Sequence, residues 1–463
     1  MTIVKAQANV AGHRTLMTAY HADLAALSVP RYTSYPTAVS FSGKVGASEQ
    51  RQALGALADD AKLSLYLHVP FCETICWYCG CNTGAVGRAS RVTRYVEALL
   101  SEIETVAQLV RGCVTHVHFG GGSPNALPAA EFSRICAALQ RSFRVDPAAE
   151  WAAELDPRSL DADYARTLAG CGITRASLGA QTFSLRIQQQ INRVQPFREV
   201  ALRAAELRAA GVAAINLDLM YGLPGQTLDD IACTLARTRL LAPSRVAMFG
   251  YAHMPRMLPR QRMIDDTLLP NAHARFTQSL LAHEMLEEQG FATIGFDHYA
   301  RPDDPLAEAA AAGRLRRNFQ GFTDDDADAL IGLGASAISQ VGNVIVQNGK
   351  HLGRYVEMVN SGGLAGVKGV TLQPTDRARG WVIERLLCDG QVDLDIAHRT
   401  FGIRGLLDRR AHDRLEDLVL RGLVTISGAT LALTPEGKPY ARLVASAFDE
   451  HSALNVQRFS RAV

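Results

Sequence analysis

An α/β fold, with parallel strands curved into a partial (β/α)6 barrel, is predicted by three features of this 463-residue sequence. Short apolar, β-branched runs alternate with helical segments from residue 61 onward. Glycine-rich and polar clusters follow those runs directly, where the chemistry of parallel sheets gathers. Near residue 370 the rhythm stops, and helical segments with one alternating stretch take over.

The elements follow in order. Residues 1–60 form an N-terminal arm around SVPRYTSYPTAVS, in which Pro30 and Pro36 disfavour helix and favour extended chain. Residues 61–300 carry six strand candidates: LSLYLHV (63–69), VTHVHF (114–119), WAAEL (151–155), ITRASLG (173–179), AAINLDLMYG (213–222) and RVAMFGYA (245–252). Segments with helical periodicity, such as SRVTRYVEALLSEIETVAQLV, separate them, which implies βαβ units and a parallel sheet. Residues 301–370 read as an extension of the barrel. Residues 371–463 read as a mostly helical, winged-helix-like domain ending in the alternating LVTISGATLALT. Acidic residues interrupt its arginines, so a structural or lid role is expected there rather than nucleic-acid binding.

Composition narrows the function classes. Hydrophobic residues make up 48% and charged residues 20%, enough for sizeable cores without covalent staples. A net charge of +2 argues against a general polyanion binder. No apolar stretch reaches the about 18–20 residues that span a bilayer, and the N-terminus lacks the layout of a signal peptide. The expectation is a cytoplasmic monomer with neither nucleic-acid nor membrane partners.

Four of the nine cysteines crowd into LYLHVPFCETICWYCGCNT, and the other five are scattered and read as small buried hydrophobes. Cys72, Cys76 and Cys79 are spaced C-x3-C-x2-C just after the first strand. Three thiolates on one short loop suit a cubane iron–sulfur cluster, leaving a fourth iron with open positions for a small chelating ligand. The competing reading is a structural zinc site using Cys81 as well. If the loop is extended, Cys81, two residues after Cys79, points to the opposite side. Zinc sites also usually draw ligand pairs from separate segments.

Other strand ends carry further candidates. Gly121, Gly122 and Ser123 allow backbone to approach a ligand closely. Glu154 suits ribose hydroxyls, and Gln181 ends the fourth run. Asp218 lies inside an apolar run and needs a partner, for which Arg193 is the candidate. GLGASAIS (332–339), from its small residues alone, reads as close helix packing.

The cysteine loop, its extension to Cys81 and PRYTSYPTA (30–38) together resemble the oxygen-independent coproporphyrinogen III oxidase family of the radical S-adenosylmethionine superfamily. The likeness continues through DHYARPDD (297–304), RNFQGF (317–322) and FSR (459–461). It implies a [4Fe-4S] cluster on Cys72, Cys76 and Cys79. It also implies one S-adenosylmethionine held by Tyr66, Gly121, Glu154 and Ile338. A second would be held by Tyr78, Gly122, Ser123, Gln181, Arg193, Asp218 and Ala252. Ser123 stands where the family usually has Thr, and Tyr78 where it often has Phe; hydroxyl and ring are retained. Cys81 is a possible catalytic residue. The implied chemistry is one-electron cleavage of S-adenosylmethionine and conversion of two propionates of coproporphyrinogen III to vinyl groups. A reductant such as flavodoxin or ferredoxin would supply electrons. Arg31, Arg301 and Arg317 are candidate partners for the substrate carboxylates. The related alternative is a haem chaperone without turnover, whose members usually lack both Cys81 and the arm motif.

Overall fold

The computed structural model describes residues 20–451; the FSR segment at 459–461 lies outside them. Six parallel strands run in sequence order: β1 (Lys62–Val69), β2 (Cys113–Gly121), β3 (Arg144–Leu155), β4 (Arg175–Gln181), β5 (Ala214–Tyr221) and β6 (Arg245–Gly250). All six coincide with the runs read from sequence. β1 is buried over nearly its whole length, as expected of a strand covered on both faces.

The sheet does not stop at six. Beyond β6 lie two short antiparallel strands, β7 (Ala292–Ile294) and β8 (His298–Ala300), in spatial order β6-β8-β7. Beyond β1 lie β9 (Ala329–Leu333), parallel to it, then β10 (Ile338–Val341), β11 (Val344–Asn348) and β12 (Gly366–Thr371), all antiparallel. GLGASAIS is therefore strand, bend and strand, not packed helix. A Cβ on Gly332 would stand 2.5 Å from the Ile338 carbonyl oxygen, and Gly334 has φ +96°. Small residues there serve a tight reversal inside a sheet.

Helices cover the outer face. In α1 (Ala89–Ala107), Val92, Tyr95, Val96, Leu99, Ile103 and Val106 recur at helical spacing and are buried. Glu102 lies among them, also buried. Its carboxylate accepts from Gly334 N–H (2.6 Å), Tyr355 O–H (2.7 Å) and Asn348 Nδ2–H (2.8 Å), tying α1 to the β9–β10 turn and β11. α2 (Ala272–Glu288) packs beside β5 and β6.

The C-terminal part has helices at Pro374–Asp389, Leu394–Phe401 and Arg409–Leu420 and a three-stranded antiparallel sheet. Its core is shared with the arm: Leu24, Val29, Tyr32 and Tyr35 join Leu386, Tyr440 and Phe448 in one cluster that also takes Phe276 and Leu280 of α2. Tyr32 O–H donates to Asp449 (3.0 Å), and Glu450 N–H to Tyr35 (3.1 Å). Among the scattered cysteines, Cys136, Cys171 and Cys388 are buried, whereas Cys113 is half-buried and Cys233 exposed.

Candidate active site

Strand ends β2 to β6 surround a cavity of about 450 Å³, with the cysteine loop that follows β1 on one wall. Cys72, Cys76, Cys79 and Cys81 line it with Tyr78, Gly121, Gly122, Ser123, Glu154, Gln181, Arg193, Asp218 and Ala252. Tyr66 and Ile338 stand outside that lining. Tyr66 is stacked on His118, with ring centroids 6.0 Å apart, and His118 in turn bonds Glu154 at 3.1 Å. Ile338 packs with Phe41, Ile345 and Leu372.

The loop is held by short backbone bonds: Gly122 N–H to Val69 and Ser123 N–H to Phe71, both 2.7 Å. A Cβ on Gly121, whose φ is +105°, would fall 2.6 Å from the His68 ring, and one on Gly122 would lie 2.4 Å from the Phe71 carbonyl oxygen. These glycines thus admit the cysteine loop itself. His68 bridges Tyr66 (3.2 Å) and the Asn82 carbonyl (2.9 Å), and burial keeps it neutral.

Every cluster-ligand candidate has donors aimed at its sulfur. Cys72 Sγ meets the hydroxyls of Thr83 (3.2 Å) and Ser123 (3.7 Å). Cys76 Sγ accepts from Arg193 (3.3 Å) and Arg158 (3.4 Å). Cys79 Sγ accepts the Cys81 N–H at 3.3 Å. Cys81 does not point away from Cys79. The chain bends there, and the Cys81 thiol bonds the same sulfur, holding Cys79 down at about 6. Cys81 itself is raised by that contact. Hydrogen bonds to ligating sulfurs are what a thiolate-held iron–sulfur cluster calls for, so the donor set fits.

The acids differ in state. Burial opposes ionisation of Glu154, but the His118 bond outweighs it and its pKa is lowered. Asp218 is pushed up to about 6 by burial, then by the Glu154 charge. Its hydrogen-bond partner is Ser177 Oγ at 3.0 Å, not Arg193. Arg193 pairs instead with Asp156 (3.3 Å), which also binds Arg158 (2.6 Å). Gln181 sits at φ +59°, where β4 loses register with β5.

Sequence reasoning missed His118, Asp156, Arg158 and Gln261, whose Nε2 clamps the carbonyls of Tyr78 (2.8 Å) and Ala252 (3.0 Å). A signal existed for His118, since the period-two alternation in VTHVHFG places it on the same strand face as Gly120. Of the proposed carboxylate partners, Arg31 lines the cavity and donates to the Gly250 carbonyl at 2.8 Å. Arg317 lies against Phe296 and Phe322 and donates to the Arg31 carbonyl. Arg301 lies over Phe291 and donates to the Gln289 carbonyl, away from the cavity.

A strand-end cavity edged by a three-cysteine loop defines the radical S-adenosylmethionine class, and residues 66–237 match the model of the radical SAM superfamily. Oxygen-independent coproporphyrinogen III oxidase of Bradyrhizobium diazoefficiens is 43% identical over 437 residues, 94% of this chain and 97% of that one. The enzyme of the same name from Salmonella typhimurium is 37% identical, over 94% and 96%. The solved structure of coproporphyrinogen III oxidase from Escherichia coli, described as a radical SAM enzyme, superposes with a TM-score of 0.87. It is 35% identical, over 91% of this chain and 97% of that one. The chain belongs to the oxygen-independent coproporphyrinogen III oxidase family.

Proposed function

We propose that this protein converts two propionate side chains of coproporphyrinogen III to vinyl groups by oxidative decarboxylation without oxygen, giving protoporphyrinogen IX. The observation that carries the reading is the cavity itself: three donor-supported cysteines face Glu154, Asp218 and Arg193 across strand ends, in a chain of this family.

Cys72, Cys76 and Cys79 would hold a [4Fe-4S] cluster. Gly121 and Glu154 would take one S-adenosylmethionine, with Tyr66 bracing His118 behind Glu154 and Ile338 behind the wall. Tyr78, Gly122, Ser123, Gln181, Arg193, Asp218 and Ala252 would take a second. When bound, cluster and nucleotide supply one-electron reduction and removal of hydrogen from an unactivated carbon. The chain's own residues hold charge and exclude water. Ionised Glu154 offers acceptors to ribose hydroxyls, while Arg193 and Arg158 balance the sulfur and Asp156 charges. Arm and C-terminal part pack together on α2, which lies beside β5 and β6, and the arm brings Arg31 into the cavity lining.

The reading calls for a low-potential donor of flavodoxin or ferredoxin type and takes the chain as a cytoplasmic monomer. No helix among the described residues is long and apolar enough to cross a membrane. The test is anaerobic incubation of cluster-replete protein with reductant, S-adenosylmethionine and coproporphyrinogen III. Protoporphyrinogen IX and 5′-deoxyadenosine should appear together; neither appearing would turn the reading to a haem chaperone.

A further inference from the structure

Gly80 and Ala85 bring the cysteine loop to the surface. Each is a close neighbour of a candidate cluster ligand: Gly80 follows Cys79, and Ala85 pairs with Cys72. Two other segments close on this stretch. Arg91 donates to the Ala85 carbonyl at 2.7 Å. Arg260 donates to the Thr83 carbonyl at 2.9 Å, and a Cβ on Gly80 would stand 3.6 Å from Leu258 Cδ1.

Both flanks are basic and nearly free of acid. Glu73 is the one carboxylate in residues 70–96, and residues 250–264 contain none. Arg88, Arg91 and Arg94 stand at the start of α1, where no acidic residue occupies the first turn, so the positive end of the helix dipole adds to their charge. Arg256, Arg260 and Arg262 stand on the loop after β6. None of the six forms an ion pair with another described residue. The next carboxylates along the chain, Glu97 and Asp265, are engaged with Arg134 (2.8 Å) and Thr267 (2.6 Å). The whole chain carries only +2, so this concentration of charge is local.

Arg88, Arg94, Arg256 and Arg262 are exposed and stand outside the cavity lining, so a ligand within the cavity does not account for them. Met257 and Met263, 52% and 59% exposed, lie among the arginines of the second flank. Exposed Arg and Met without Lys, Asp or Glu is the composition of a protein-contact surface.

We propose that this surface docks an acidic, low-potential electron carrier and brings its redox group up to the cysteine loop. The inference rests on the function proposed above and adds where its electron enters. With a flavodoxin-type carrier, the anionic flavin hydroquinone gives up one electron, becoming the neutral semiquinone, and the cluster takes that electron up.

Cluster-replete protein mixed anaerobically with photoreduced flavodoxin in a stopped-flow instrument should be reduced at a rate that falls about tenfold from low to high salt. Arg94→Glu and Arg256→Glu, one on each flank, should each slow that reduction about tenfold at low salt. Flavodoxin binding, read by fluorescence anisotropy, should weaken by a similar factor. Photoreduced deazaflavin, a small reductant lacking carboxylates, should reduce parent and variants alike, and with it the KM for coproporphyrinogen III should stay parental. Arg88→Glu and Arg262→Glu repeat the test should either first variant lose iron. Unchanged flavodoxin rates and affinities would overturn the inference. A raised KM under deazaflavin would also overturn it and give the surface to substrate carboxylates, and equally tight binding of duplex DNA would give it to nucleic acid. A parent that is reduced but makes no product overturns the function instead, and flavodoxin binding still judges the surface.

Discussion

Arg158 is the residue whose environment has the sharpest consequence. Its guanidinium reaches Cys76 Sγ, Asp156 and the Thr74 carbonyl at once, fastening the cysteine loop to the end of β3. A cation donating to a ligating sulfur favours the more reduced state of a cluster. Arg158→Gln is therefore expected to shift the midpoint potential negative by on the order of tens of millivolts, read by potentiometric EPR on reconstituted protein. Iron content should stay near parental, since Arg193 still donates to the same sulfur. This role was not legible in AELDPRS, because it depends on Asp156 and Arg193 meeting Arg158 across a turn. The cysteines were legible, because their function is written in local spacing. For Asp218 the need for a partner was evident and the partner was not: Ser177 lies on β4 two residues before Gly179, the residue paired with Asp218, and becomes a neighbour only once the sheet exists.

At the scale of elements, the six core strands were readable because burial on both faces demands apolar β-branched runs. GLGASAIS was not, since small residues permit close helix packing and a tight strand reversal alike, and composition does not distinguish them. The glycine turn after β2 illustrates what such positions contribute. Gly121→Ala would set a methyl against the His68 ring at a left-handed backbone angle. About 3 kcal/mol of destabilisation is expected, from strain and overpacking together, measured as a lower urea midpoint with poorer iron loading.

The Glu102 knot gives a pH signature. Burial raises its pKa from the ordinary 4.5 of a glutamate to about 7. Between those values the unfolded chain releases the proton while the folded chain keeps it, so stability falls as pH rises from 4.5 to about 7 and then levels. The loss is about 3 kcal/mol in size. Glu102→Gln removes this slope, so urea midpoints of variant and parent should shift in the variant's favour between pH 5 and pH 8.

At the scale of the molecule, arm and C-terminal segment fold as one cover although their sequences are hundreds of residues apart. Tyr32 is buried beside Asp449, and burial followed by the Asp449 charge drives its hydroxyl pKa far up, keeping it a donor. Tyr32→Phe leaves Asp449 without that donor and should cost about 1–3 kcal/mol. Faster cleavage of the arm in limited proteolysis, relative to the barrel, would register it. Sequence suggested an extended arm from its prolines, but nothing local in it named the surface it meets.

β1 lies between β2 and β9, and β9 ends at residue 333. During synthesis the first strand therefore waits with one side unsatisfied until most of the chain has left the ribosome. Its exposed apolar edge is a site for wrong association. Heterologous production should thus favour slow translation and abundant chaperones.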